Sequence, residues 1–114
     1  MGIGKGRNES ELLPGTLEML VLKSLSRGSM HGYGIAQYLK SVSADVLEVG
    51  EGSLYPALQR LLLNGWAAAE WSTSDNNRRA RYYTITSAGR KQLARELSAY
   101  TRMRNAIARV META

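Results

Sequence analysis

The chain has 114 residues, of which 44% are hydrophobic, and its formal net charge is +5. This length suits one domain, and this apolar content is enough for a packed core, which excludes global disorder. The lack of cysteine excludes disulfides, thiolate catalysis and cysteine-ligated zinc, and it fits a reducing compartment, so we expect a cytoplasmic protein.

The positive charge is concentrated towards the C-terminal end of the chain. Residues 72–114 contain nine Lys or Arg residues and three Asp or Glu residues, whereas residues 1–71 have a net charge of −1. A basic segment favours a polyanionic partner, which is either nucleic acid or an acidic membrane surface. The longest apolar runs, Met19–Leu22 and Leu61–Leu63, are too short to cross a bilayer, so we expect no membrane partner.

The first half of the chain predicts an arm and two helices. Residues 1–13 are rich in glycine and polar residues, which favours a flexible N-terminal arm. A helix then follows Pro14-Gly15 and extends to about Ser26, because apolar residues recur every three or four positions. A second helix opens near His31, and its predicted buried stripe consists of Ile35, Ala36, Leu39 and Val42.

Two shorter features accompany the second helix. Val46–Val49 is a candidate for a short strand. His31 is the only histidine, so it has no second histidine with which to share a metal ion, and we expect it to cap or pack instead.

A third helix is predicted to begin at Gly52-Ser53, with Ser53 as its N-cap. Pro56 would then lie in the first turn, where a backbone amide has no intrahelical partner. One face of this helix is made of leucines: Leu54, Leu58, Leu61 and Leu62. The opposite side holds Gln59 and Arg60, with Tyr55 at the flank. Gln and Arg can pair bidentately with base edges, but they would suit a solvated face equally well.

A β-hairpin is predicted after the third helix. Its strands are Trp66–Trp71 and Arg81–Ile85, and a cluster of turn-forming residues separates them. The tip carries three arginines: Arg78, Arg79 and Arg81. Arginines there suit phosphate oxygens or a narrow minor groove, and the alternative is a solvated loop that happens to be basic.

The final predicted element is a long helix that Thr86 caps and that extends to about Val110. Its apolar residues recur at spacings of three and four: Leu93, Leu97, Tyr100, Met103, Ile107 and Val110. Such a stripe must be covered, and the rest of the domain is too small to cover it. We therefore predict a homodimer that is joined through these six residues.

Three helices followed by a hairpin is the order of the winged helix-turn-helix. The predicted fold is mainly α with a small β-hairpin wing, divided into a winged-helix domain over 14–86 and a dimerisation helix over 87–114. In such domains the third helix enters the major groove while the wing lies against the backbone. The candidate DNA-binding residues are Tyr33, Ser53, Tyr55, Pro56, Gln59, Arg60, Arg78, Arg79 and Arg81.

Several motifs resemble those of the PadR family of bacterial transcription regulators. They are LLPGTLEMLVL at 12–22, HGYGI at 31–35, GSLYPALQRL at 52–61, Gly65-Trp66, and RRARYYTITSAG at 78–89. The resemblance covers about residues 12–110. It implies a winged-helix dimer, usually a repressor, that is joined through its C-terminal helix. It also implies that the segment Ser53–Pro56 heads the recognition helix and that the basic wing touches DNA.

The resemblance leaves a small-molecule effector open. Some family members respond to phenolic acids or drugs held at the dimer interface. The last helix of this chain contains no Trp that would sandwich an aromatic drug.

The predicted function is a sequence-specific DNA-binding transcription regulator, a repressor that binds an inverted-repeat operator as a homodimer. The alternative is a winged-helix interaction module whose basic face binds an acidic protein. We predict no catalytic residue, cofactor or metal site, because neither a nucleophile–base pair nor a phosphate-binding glycine loop is visible.

Overall fold

The computed structural model describes residues 15–73 and 75–114, so the predicted arm over 1–13 lies outside the described residues. Within them, four helices and three short strands confirm the mainly helical winged-helix fold. In chain order they are α1 (Thr16–Leu25), β1 (Met30–His31), α2 (Gly32–Val42), α3 (Glu51–Leu63), β2 (Ala67–Thr73), β3 (Arg79–Ile85) and α4 (Ser87–Glu112).

The hydrophobic core lies between α1, α2, α3 and the base of the hairpin. α1 is buried on more than one side. The largest buried side chains are Val21, Leu22 and Leu25 from α1, Ile35 from α2, and Leu54, Leu58 and Leu61 from α3. Burying them removes apolar surface from water, which is the main force that holds the three helices together.

The three strands form an antiparallel sheet in the order β1-β3-β2. The hairpin of β2 and β3 is present as predicted, whereas the sequence analysis missed β1. Met30 pairs with Tyr83 and His31 with Tyr82. A two-residue strand has no periodicity of its own, and it exists only because the fold brings it beside β3.

The start of α3 differs from the prediction. The helix begins at Glu51 after an extended Gly50, so Ser53 is its third residue and not its N-cap. The carboxylate of Glu51 is favoured there by the positive end of the helix dipole. Pro56 is consequently in the interior of the helix and not in its first turn. Because proline has no N–H, the Gly52 carbonyl loses its usual partner in the helix.

The segment after α2 also differs from the prediction, because residues 46–49 form no strand. The backbone turns sharply at Ala44 and Asp45, which both have positive φ angles, of 52° and 68°. The Leu47 N–H then donates to Ser43 Oγ at 2.9 Å, which folds the segment back on the helix end. Val42, predicted to be buried, lies in this last turn and is exposed.

The root of α4 is fixed to the corner between α3 and β2. Thr86 caps the helix as predicted, since its Oγ1 accepts from the Gly89 N–H at 3.0 Å. The same hydroxyl donates to the Gly65 carbonyl at 2.7 Å. A Cβ on Gly89 would overlap the Trp66 carbonyl oxygen, so only glycine permits this close approach.

Beyond its first turns, α4 leaves the core. Leu93 still packs against the core cluster. The remaining residues of the predicted stripe are 41% to 71% exposed: Leu97, Tyr100, Met103, Ile107 and Val110. The residues that the structure describes therefore leave the stripe uncovered.

Candidate nucleic-acid interface

A groove of about 740 Å3 lies between the start of α2, the first half of α3 and the wing. Five of the nine predicted DNA-binding residues line it: Tyr33, Tyr55, Arg78, Arg79 and Arg81. Residues from three separate elements thus meet in one concave, basic and aromatic site. The other four predicted residues, Ser53, Pro56, Gln59 and Arg60, do not line the groove and lie elsewhere on α3.

Tyr55 forms one side of the groove and packs against the backbone at the start of α2. A Cβ on Gly32 would lie 2.5 Å from Tyr55 Oη, so this contact requires glycine. Partial burial, with a smaller contribution from the Glu51 charge and Tyr83, raises the pKa of Tyr55 above its ordinary value of 10.0. The hydroxyl therefore remains protonated near neutral pH and can donate a hydrogen bond to a phosphate oxygen.

His31 and Tyr33 form the end of the groove near α2. His31 Nδ1 accepts the Gly34 N–H at 3.0 Å, which confirms the capping role expected for this residue. Its ring meets the Tyr82 ring edge-on, with centroids 5.2 Å apart, and it lies beside Tyr33 at 6.5 Å. Tyr33 is exposed, and its hydroxyl accepts from Gln37 Nε2 at 2.9 Å. The capping bond thus holds an aromatic cluster at this end of the groove.

The wing presents its arginines over aromatic rings. The Arg79 guanidinium carbon lies 5.1 Å from the centroid of the Trp71 ring, and that of Arg81 lies 5.8 Å from the Tyr83 centroid. Both distances are within the range of cation–π interactions. Two of the three wing arginines therefore lie against aromatic rings.

The outer face of α3 carries Gln59 and Arg60, both of which are exposed. Arg60 Nε forms a short ion pair with Glu18 on α1, and this hydrogen bond raises the pKa of Arg60. The pair holds the guanidinium towards α1, so a contact with a base would have to break or share it. Within the described residues no comparable contact constrains the Gln59 side chain, and both residues remain predictions as base contacts.

Comparison with known proteins identifies the family. The model of the transcriptional regulator PadR-like family matches residues 21–95, which is more than half of the chain. The chain belongs to the PadR-like family. It is therefore a winged-helix, DNA-binding regulator of transcription.

Individual relatives are similar to this chain in fold or in sequence. A PadR family transcriptional regulator from Eggerthella lenta is 28% identical, with a TM-score of 0.77 over 92% of this chain and 89% of that one. A transcriptional regulator from Clostridium thermocellum shares the fold at 23% identity, with a TM-score of 0.79 over 87% of this chain and 96% of that one. A 37.1 kDa protein in a transposon of Streptomyces fradiae is 38% identical over 85% of this chain, which spans 26% of that protein.

Six residues that line the groove were not predicted as contacts: His31, Gly32, Trp71, Asn76, Ala80 and Tyr83. Trp71 is 58% exposed at the wing. Trp71 lies directly opposite Arg81 in the hairpin, and this pairing would have indicated that Trp71 belongs to the groove. The turn sequence does not determine the exact register of the two strands, so the pairing of Trp71 with Arg81 could not be predicted from the sequence.

A second, smaller groove of about 240 Å3 lies where α4 passes the start of α1. Met19, Glu96, Tyr100 and Met103 line it, so it continues the apolar stripe of α4. Glu96 Oε2 accepts from Gln92 Nε2 at 2.7 Å, whereas the buried Oε1 has no hydrogen-bond partner within residues 15–73 and 75–114.

Among all the residues that the structure describes, no helix is both long and apolar enough to cross a membrane.

Proposed function

We propose that this PadR-like regulator is a sequence-specific repressor that binds an inverted-repeat operator as a homodimer. The observation that carries the proposal is the groove, in which tyrosines from α2 and α3 face three arginines of the wing. Such a site can hold a DNA backbone while the exposed side of α3 meets base edges.

In this proposal α3 is the recognition helix, and Gln59 carries the base readout. Gln59 is exposed and lies away from the buried face of Leu54, Leu58 and Leu61. A Gln side chain pairs bidentately with adenine in the major groove. Tyr55 and Ser53 lie nearer to the helix start, where a phosphate is favoured by the helix dipole.

The wing supplies affinity rather than sequence preference in this proposal. Arg78, Arg79 and Arg81 are exposed, and phosphates look alike along any sequence. Each lost phosphate contact should lower the slope of log affinity against log salt by about one unit.

The homodimer rests on the exposed stripe of α4. Burying its apolar side chains against a second copy would stabilise the assembly by roughly 25 cal/mol per Å2. A two-fold dimer presents the recognition helix twice, so the operator should be an inverted repeat with half-sites about 10 bp apart or a multiple of that. Repression is the mode of regulation that the PadR resemblance implies.

The test is selection from random duplex DNA with the wild type and with Gln59→Ala in parallel. We expect a two-fold symmetric sequence from the wild type. The variant should bind that operator about 1–3 kcal/mol more weakly and relax one symmetric pair of positions. Arg102→Ala is the control, because it removes an exposed polar side chain on α4, away from the groove.

The other outcomes contradict distinct parts of the proposal. Identical selected sequences from both proteins would remove Gln59 from the readout. Sequences without two-fold symmetry would contradict the dimeric docking. A wild type that enriches no duplex would contradict sequence-specific binding and favour the acidic protein partner instead.

A further inference from the structure

We propose that Trp71 is a positioning residue for DNA binding, because its indole ring holds the Arg79 guanidinium in the orientation that meets a phosphate. This inference rests on the proposed function, since it concerns how the wing makes its backbone contact.

The strand register places the two residues on one face of the hairpin. Trp71 pairs with Arg81 and Thr73 pairs with Arg79, and side chains alternate between the faces of a strand. Trp71, Arg79 and Arg81 therefore share a face. Nearer to the base of the hairpin, the same face is buried through Tyr83 and Ile85.

Trp71 lies where this face leaves the core and enters the groove. It is more than half exposed, so packing into the core does not account for a tryptophan at this position. The Arg79 guanidinium lies 5.1 Å above its ring, and tryptophan is the aromatic side chain that attracts a cation most strongly. We therefore assign to the exposed Trp71 ring the role of holding the Arg79 guanidinium.

Stacking and phosphate binding use different parts of the guanidinium. The indole covers one flat face, whereas the N–H donors that reach a phosphate lie in the plane of the group. Both contacts can therefore exist together. An arginine side chain loses rotamer freedom when it binds, and stacking before binding removes part of that loss. Trp71 would thus raise affinity without touching DNA itself.

The experiment compares Trp71→Leu with Trp71→Phe in duplex-DNA titrations at several salt concentrations. Both replacements are apolar, but only phenylalanine retains a ring. Trp71→Leu should weaken binding about two- to five-fold, which corresponds to one exposed cation–π interaction. Trp71→Phe should retain most of the wild-type affinity. Thermal unfolding of each variant verifies that the hairpin is intact.

A double-mutant cycle separates positioning from a general effect on the wing. In an Arg79→Ala background, Trp71→Leu should have no further effect on affinity. In an Arg78→Ala background it should keep its full two- to five-fold effect, since Arg78 is the neighbouring wing arginine.

Two results would overturn the proposal while leaving DNA binding in place. One is an equal loss from Trp71→Leu and Trp71→Phe. The other is an effect of Trp71→Leu that persists after Arg79→Ala. A wild type without measurable duplex binding would instead overturn the proposed function, and this inference with it.

Discussion

The first and last helices of the described chain, α1 and α4, have similar apolar periodicity but opposite exposure. α1 has ten residues, six of which are buried. α4 has 26 residues, all of them described, and Gly89 alone is buried. The comparison teaches that periodicity predicts a face that must be covered but does not identify what covers it. For α1 the cover is the rest of its own chain, whereas the described residues leave the stripe of α4 uncovered.

This difference divides the regulator into two mechanical parts. The helices α1 to α3 and the hairpin form a closed core that holds the groove. α4 spans about 39 Å at the usual rise of a helix, and most of it extends away from that core. Substitutions in the two parts should therefore change different measurable quantities.

The largest loss of folding stability should come from a substitution in the closed core of α1 to α3 and the hairpin. Leu58 is 1% exposed on α3, and Leu58→Ala should lower the free energy of unfolding by about 2–5 kcal/mol, through lost burial and a residual cavity. Urea denaturation measures this loss. Leu63→Ala is the control on the same helix, because Leu63 is exposed, and it should change the stability by less than about 0.5 kcal/mol. Equal losses would contradict the assigned faces of α3.

An intermediate effect is expected at the junction of the two parts. Gly89→Ala forces a Cβ against the Trp66 carbonyl, and it should destabilise the fold by about 1–3 kcal/mol because the backbone must move. Gly52→Ala is the opposite control. It meets open space in the first turn of α3, where alanine favours a helix, so its melting temperature should stay level or rise. A Gly89→Ala protein as stable as the wild type would contradict this prediction, because the backbone at the junction would then accommodate the added Cβ without a loss of stability.

The smallest effect on the folding of one copy should come from α4. Replacing Leu97 and Ile107 together by Gln keeps good helix propensity and removes exposed apolar surface. We expect the stability of the dilute protein to change by less than about 0.5 kcal/mol per site. Sedimentation should nevertheless shift from dimer to monomer, and operator binding should be lost.

The unfolding midpoint provides a second measure of this last variant. For the wild type it should rise with protein concentration, as association requires, whereas for the variant it should not. Arg102→Gln on α4 is the control, and it should behave as the wild type. A wild type that is monomeric at micromolar concentration would contradict the homodimer.

Local signals account for what the sequence predicted correctly. Helical periodicity located all four helices, and turn-forming residues located the hairpin. Thr86 was recognised as a cap because the residues that it caps follow it directly in the chain, and the same holds for His31 and Gly34. The resemblance of the motifs to the PadR family is confirmed by the family match.

The remaining features depend on residues that are distant in the chain. The Arg60–Glu18 ion pair joins positions 42 residues apart, and β1 forms only beside β3. The start of α3 was misplaced because Ser53 is a good cap by local rules, whereas the tertiary path begins the helix at Glu51. The groove itself needs the relative placement of α2, α3 and the wing, which no single segment encodes.

The first turn of α4 is hydrogen-bonded to the core, so in the proposed dimer the direction of this helix is fixed relative to α3. The Thr86 N–H donates to the Trp66 carbonyl at 3.1 Å, directly after the corner that ends α3, and the Thr86 hydroxyl donates to the neighbouring Gly65 carbonyl, so backbone and side chain both hold the junction. A tilt of about 5° at this joint would displace the far end of α4 by about 3 Å, given its length. In the proposed dimer, the distance between the two copies of α3 would therefore depend on the joint at Gly89. Operator spacing should therefore follow the geometry of this backbone corner, independently of which bases Gln59 prefers.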